Sequence, residues 1–126
     1  MRQAADSFPG ESAQVRAARR FIAGVLGMDG PAVDDIILVT SELVSNAVLH
    51  SNSRLGGKVS IRAEVRPHEY VRVEVGDEGG PWAPLEPGDR RMHGLGIVSK
   101  LAQTWGRDGS PDTGWVVWAR MPWPGP

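Results

Sequence analysis

The sequence predicts an α+β domain, on three observations. Two segments space their apolar residues at three and four, two later segments alternate apolar with polar residues across a three-residue connector, and a last strand-like run closes the chain. With 126 residues, 40% of them hydrophobic, there is material for one core and not for two, so residues 1–126 are read as a single domain.

The first helix is "ESAQVRAARRFIAGVLG", with Val15, Ala18, Phe21, Ile22, Val25 and Leu26 on one face and Arg16, Arg19 and Arg20 on the other. Ser12 is a candidate N-cap and Gly27 a stop, and the three arginines read as a solvated face. A second helix should start near Pro31, with Asp34 and Asp35 against the positive end of its dipole, and run to about His50 before the polar loop "SNSRLGG". "KVSIRAEVR" alternates Val59, Ile61, Ala63 and Val65 with polar residues, and "YVRVEVGD" does the same with Val71, Val73 and Val75. The intervening "PHE" makes them an antiparallel hairpin. "EGGPWAPLEPGDRRMHG" is too rich in glycine and proline for regular structure, helical spacing returns in "GIVSKLAQTW", and "GWVVWARMP" is a strand ended by its proline.

Fourteen basic against fifteen acidic residues leave a net charge of -1, which removes any global attraction to nucleic acid or an anionic membrane. There is no cysteine, so disulfide scaffolds and cysteine-based zinc or redox chemistry are excluded. "MRQAADSFPGESAQVRAARR" lacks the apolar run of a signal peptide, and no segment has the length of a membrane span, so a soluble cytoplasmic protein is expected.

The second helix poses the functional question. Ile36, Ile37, Leu38 and Val39 point nearly all round, yet Glu42, Asn46 and His50 follow at intervals of four and form one polar stripe. A carboxylate is costly to bury alone, so the stripe faces solvent, an ion-pair partner or a ligand, and spacing does not choose among them. For a ligand, the Asn and Glu oxygens are hard donors suited to Mg²⁺ or its water shell, and the Glu is also a candidate proton acceptor. "VEVGDEGGPW" puts Asp77 just after a strand and ahead of Gly79 and Gly80, where a planar ligand can approach the backbone and offer an amine to the carboxylate. "HGLGIVSKLA" puts Gly94 and Gly96 at a helix start suited to phosphate. Each pattern alone is weak; their order on helix, strand end and helix start is what carries information. No Walker A loop and no Rossmann fingerprint is present.

That ordered set resembles the GHKL (Bergerat-fold) ATPase and kinase superfamily, and within it the bacterial anti-sigma-factor serine/threonine kinases. "ELVSNAVLH" is similar to that family's N box, "VGDEGG" to its first glycine box, "HGLGIVSKLAQTWG" to its second, and "GWVVWARMP" to its closing strand. The resemblance implies a two-layer α/β sandwich, with helices on one face of a mixed, mainly antiparallel sheet, and ATP with Mg²⁺ as cofactors. By matching positions, Glu42 is implied as general base and Asn46 as Mg²⁺ ligand, with Asp77 as adenine anchor and Gly79, with Gly80, as the place of close approach. His93, Gly94, Leu95 and Gly96 are implied around the phosphates, and His50 in a structural or phosphate-neighbouring role; Arg90 and Arg91 either reach the phosphates or form a solvated turn. The implied partners are a sigma factor, which is sequestered, and an antagonist protein, which is phosphorylated; a homodimer is left open. Two departures stand out: His93 replaces an arginine, and Trp115 and Val116 replace a Lys-Thr pair, removing a hydroxyl near the adenine. These keep a second reading alive, a non-catalytic ATP-binding or nucleotide-free interaction module. Trp82, Trp105, Trp115, Trp118 and Trp123 are expected in the core or on the sheet, with an exposed subset available to a protein partner.

Overall fold

The computed structural model describes residues 1–50, 57–78, 90–110 and 112–126, with Ser12, Leu49, His50 and residues 90–93 described by their backbone alone. Strand β1 (Arg2–Pro9) leads through a 3-10 turn (Ser12–Gln14) into α1 (Val15–Leu26) and α2 (Pro31–His50). The hairpin β2 (Lys58–Arg66) and β3 (Tyr70–Gly76), then α3 (Arg90–Leu101), β4 (Thr104–Ser110) and β5 (Gly114–Pro122) complete the chain. The sheet has the order β1-β2-β3-β5-β4 and every ladder is antiparallel. The helices pack on one face, giving the expected two-layer sandwich.

Periodicity explains the layers. Val59, Ile61, Ala63 and Val65 of β2 and Val71, Val73 and Val75 of β3 are all buried toward the helices, while their neighbours in sequence face outward. α1 buries Ala18, Ile22 and Leu26, one residue per turn, and ends where the Gly27 N–H donates to the Ala23 carbonyl at φ 68°, a left-handed conformation natural to glycine. α1 begins at Val15 after Gln14, which makes no side-chain capping bond; Ser12 instead opens the 3-10 turn. Arg16, Arg19 and Arg20 are exposed, as a solvated face should be. α2 is the central rod: Val33, Ile36, Val39, Leu43, Val44, Ala47 and Val48 are buried, and the Thr40 hydroxyl satisfies itself on the Ile36 carbonyl at 2.7 Å. Trp123 closes one end of the core at 2% exposure. Among the described residues no helix is long and apolar enough to cross a membrane.

Three boundaries differ from the sequence expectation. β1 was not anticipated, because only Ala4 and Phe8 of "RQAADSFP" turn toward the core and the pattern is too sparse to read. β4 was not anticipated either: the helical run through "TW" stops at Leu101, and Thr104 and Trp105 belong to an edge strand whose two glycines and charged residues hide its alternation. Finally, α3 starts at Arg90, so the irregular stretch read as extending to Gly94 is already helical over its last residues.

The outer sheet face is polar and self-satisfied. Arg72 pairs with Glu74 and lies 5.0 Å over the Trp118 ring, while Tyr70 sits between the guanidinium groups of Arg66 and Arg120. The Tyr70 hydroxyl beside Arg66 raises the arginine's pKa further above its already high ordinary value.

Candidate functional site

α2 sets the first pair of residues. Glu42 and Asn46 are one helical turn apart, but the structure treats them differently: Glu42 is half-buried, whereas Asn46 is 3% exposed. Among the described residues the Asn46 Nδ2 has no hydrogen-bond partner, an arrangement that leaves the desolvation cost of an amide uncompensated. Which end of an amide is oxygen is assigned from its neighbours, so a turn of the group would present Oδ1 in the same place.

The surface opposite is α3. A Cβ placed on Gly94 would lie 2.7 Å from Glu42 Oε2 and 3.6 Å from both side-chain heteroatoms of Asn46. The two helices therefore approach through bare backbone at this point, and glycine at 94 is what lets α3 sit directly on the Glu42 and Asn46 side chains. The expectation put Gly94 and Gly96 at the helix start; the helix begins four residues before Gly94, so Gly94, Leu95 and Gly96 lie inside it, and the unbonded N–H groups belong to the first turn that begins at Arg90. Helical Gly94 costs about 1 kcal/mol relative to alanine, a penalty offset by contact across α2 and α3. Among the described residues Gly96, which is exposed, has nothing within 4 Å of a Cβ position, so their packing does not require it.

The third piece is the strand end. Asp77 follows β3 directly; its N–H donates to the Trp115 carbonyl at 2.9 Å, and its Oδ1 accepts the Trp115 N–H at 3.0 Å. The side chain thus takes the place that the residue's own carbonyl would hold in a continuing ladder, and the carboxylate is fixed against β5. Beside it the Glu78 carboxylate accepts the Lys58 N–H at 2.9 Å. On β4 the Arg107 guanidinium lies 4.2 Å from the Trp115 ring centroid.

Glu42, Asn46 and Gly94 are therefore in mutual contact, and Asp77 stands at the strand end on the same, helix-covered side of the sheet. Gly79 and Gly80 lie outside the described residues, as does Trp82, and for His50 and His93 only the helical backbone is described. Trp115 as the partner of Asp77, and Arg107 as the partner of Trp115, were not read as site residues. Trp115 was marked only as a departure in the closing strand, and Arg107 carried no signal because its strand was not recognised.

The chemistry of the set suits a nucleotide with a hard cation. Among the described residues no three His, Cys, Asp or Glu side chains form a cage for a metal. Mg²⁺ takes one or two protein oxygens and completes its shell with phosphates and water. An orphaned, buried asparagine amide next to a carboxylate is a donor set of that kind. A concavity of about 550 Å³ on the outer sheet face, bordered by Ser7, Ser60, Arg62 and Glu74, contains none of these residues.

The family profile described as histidine kinase-like ATPase domain matches residues 8–121. No curated protein matches the chain.

Proposed function

Since the chain belongs to the histidine kinase-like ATPase domain family, we propose that it holds ATP and Mg²⁺ between α2, the end of β3 and the start of α3. There it phosphorylates a serine or threonine of an antagonist protein and sequesters a sigma factor when that antagonist is absent. The observation that carries the reading is the buried Asn46 amide, unpartnered at Nδ2 and placed with Glu42 under the Gly94 backbone.

In this proposal Asn46 is the protein ligand for Mg²⁺, which supplies neutralisation of charge at the phosphates. Asp77, held by the Trp115 N–H, accepts a hydrogen bond from the adenine amine. Glu42 orients the attacking hydroxyl and takes its proton as the new O–P bond forms and the bond to the ADP oxygen breaks. The half-buried position of Glu42 suits that role, since a proton acceptor must both reach a protein substrate and be shielded from bulk water. Gly94, Leu95 and Gly96, with the first turn of α3, cradle the phosphates.

A second reading, regulation by binding alone, draws on the helical state of Gly94 to Gly96 and on Trp115 in the closing strand. One experiment separates the two. Wild type and Glu42→Ala are incubated with labelled ATP, Mg²⁺ and a panel of candidate antagonists, with nucleotide affinity measured in parallel by calorimetry. Kinase activity predicts transfer reduced by about 10²- to 10⁴-fold in Glu42→Ala with most of the affinity retained. Binding of ATP with no labelling by wild type, and unchanged partner regulation by Glu42→Ala, would establish the binding module instead.

A further inference from the structure

We infer that the indole of Trp115, clamped by Arg107, is a stacking wall for the purine ring, so that Asp77 selects the exocyclic amine and Trp115 the ring. The inference rests on the nucleotide reading above and gives Trp115 and Arg107 a role that the motifs do not assign.

Asp77 and Trp115 continue the register in which Gly76 faces Val116, so their side chains leave the same face of the sheet. Opposed residues on one face have Cβ atoms about 5 Å apart. The two hydrogen bonds between them, 2.9 and 3.0 Å, fix the carboxylate beside the root of the indole. A planar base whose amine meets Asp77 therefore lies next to Trp115. Arg107 approaches the indole from β4, where it is paired with Val117, while Asp77 approaches from β3 on the other side of β5. The guanidinium lies 4.2 Å from the ring centroid, on the side of β5 away from β3. Trp115 is also half-buried, neither sealed in the core like Trp123 nor free in solvent. Base stacking on an aromatic side chain is a strong, geometrically tolerant contact.

Among the other described tryptophans none stands beside Asp77. Trp118 lies on the outer face across Gly106, whose Cβ position is 2.9 Å from the ring, Trp105 donates to the Ser99 hydroxyl of α3, and Trp123 is buried. Trp82 lies outside the described residues, so the contribution of Trp115 to a nucleotide-dependent fluorescence change is read as the difference between wild type and Trp115→Phe.

The test titrates wild type, Trp115→Phe, Trp115→Ala and Arg107→Gln with ATP and Mg²⁺, reading intrinsic fluorescence and heat, after thermal melts without nucleotide confirm folding. Wild-type fluorescence is expected to change on binding, and the change to vanish in Trp115→Phe, which keeps a ring and most of the affinity. Trp115→Ala is expected to lose about ten-fold or more in affinity, and Arg107→Gln about two- to five-fold. If Trp115→Ala does not fold, the decision falls to the Trp115→Phe fluorescence alone. Wild-type affinity in Trp115→Ala, or an undiminished fluorescence change in Trp115→Phe, overturns the stacking wall while leaving nucleotide binding intact. Absence of any heat or fluorescence change in wild type overturns the nucleotide reading itself, and the wall with it.

Discussion

Replacing Gly94 by alanine separates what the α2 and α3 contact does for stability from what it does for chemistry. The added methyl would stand 2.7 Å from Glu42 Oε2, so the carboxylate must retreat by about 0.7 Å to reach the 3.4 Å of ordinary contact. The atom in the way is the far end of a flexible, half-buried side chain and not backbone, so α3 need not move. Alanine in place of glycine within a helix gains about 1 kcal/mol, and an off-rotamer glutamate costs about 0.5–1.5 kcal/mol. The two nearly cancel, and Tm should stay within about 5 °C of wild type. The chemistry has no such compensation, because a displacement approaching 1 Å at a proton acceptor can lower a rate by about 10²-fold. The expected result in labelled-ATP transfer is a loss of roughly ten- to a hundred-fold with folding unchanged. A fall in Tm of more than about 10 °C would show that the clash is taken up by the backbone, and transfer at the wild-type rate would show that Glu42 does not act from this position. The thermal result stands whether or not the protein proves to be a kinase.

Two further substitutions test the site from its other corners. Asn46→Leu removes an amide whose Nδ2 is buried without a partner, so Tm should rise by a few degrees, for a gain of about 1 kcal/mol or more. The ATP-dependent rise in Tm should disappear at the same time. Asn46→Asp should instead lower Tm, because a carboxylate at 3% exposure is costly to ionise; equal destabilisation by both would mean that the amide is satisfied. Asp77→Asn keeps an oxygen able to accept the Trp115 N–H, so the melt without nucleotide should shift by less than about 1 kcal/mol equivalent, while ATP affinity measured by calorimetry falls about ten-fold or more. A destabilised Asp77→Asn would show that the charge, and not the hydrogen bond, holds the end of β3 to β5.

The sequence by itself determined the middle of the molecule. α2, the hairpin of β2 and β3, and β5 are legible because each has one face buried and another exposed, and that difference is written into neighbouring residues as a period of 3.6 or 2. The order of Glu42, Asn46, Asp77 and Gly94 was equally legible, since motif order is a property of the chain. Tertiary structure decided the rest. Edge strands β1 and β4 are stabilised by a ladder to one neighbour each, β2 and β5, and by little side-chain burial of their own. Their existence therefore depends on residues 49 to 63 positions away in the first case and on the return of the chain in the second. Nor does spacing distinguish Glu42 from Asn46: both belong to one polar stripe and both meet α3 at Gly94, yet the asparagine is 3% exposed and the glutamate half-buried. The start of α3 at Arg90 and the bond from Trp115 to Asp77 have the same origin. Periodicity reports how a segment divides between core and solvent, whereas burial of one polar group, and the bonds it makes there, depend on which distant segment packs against it.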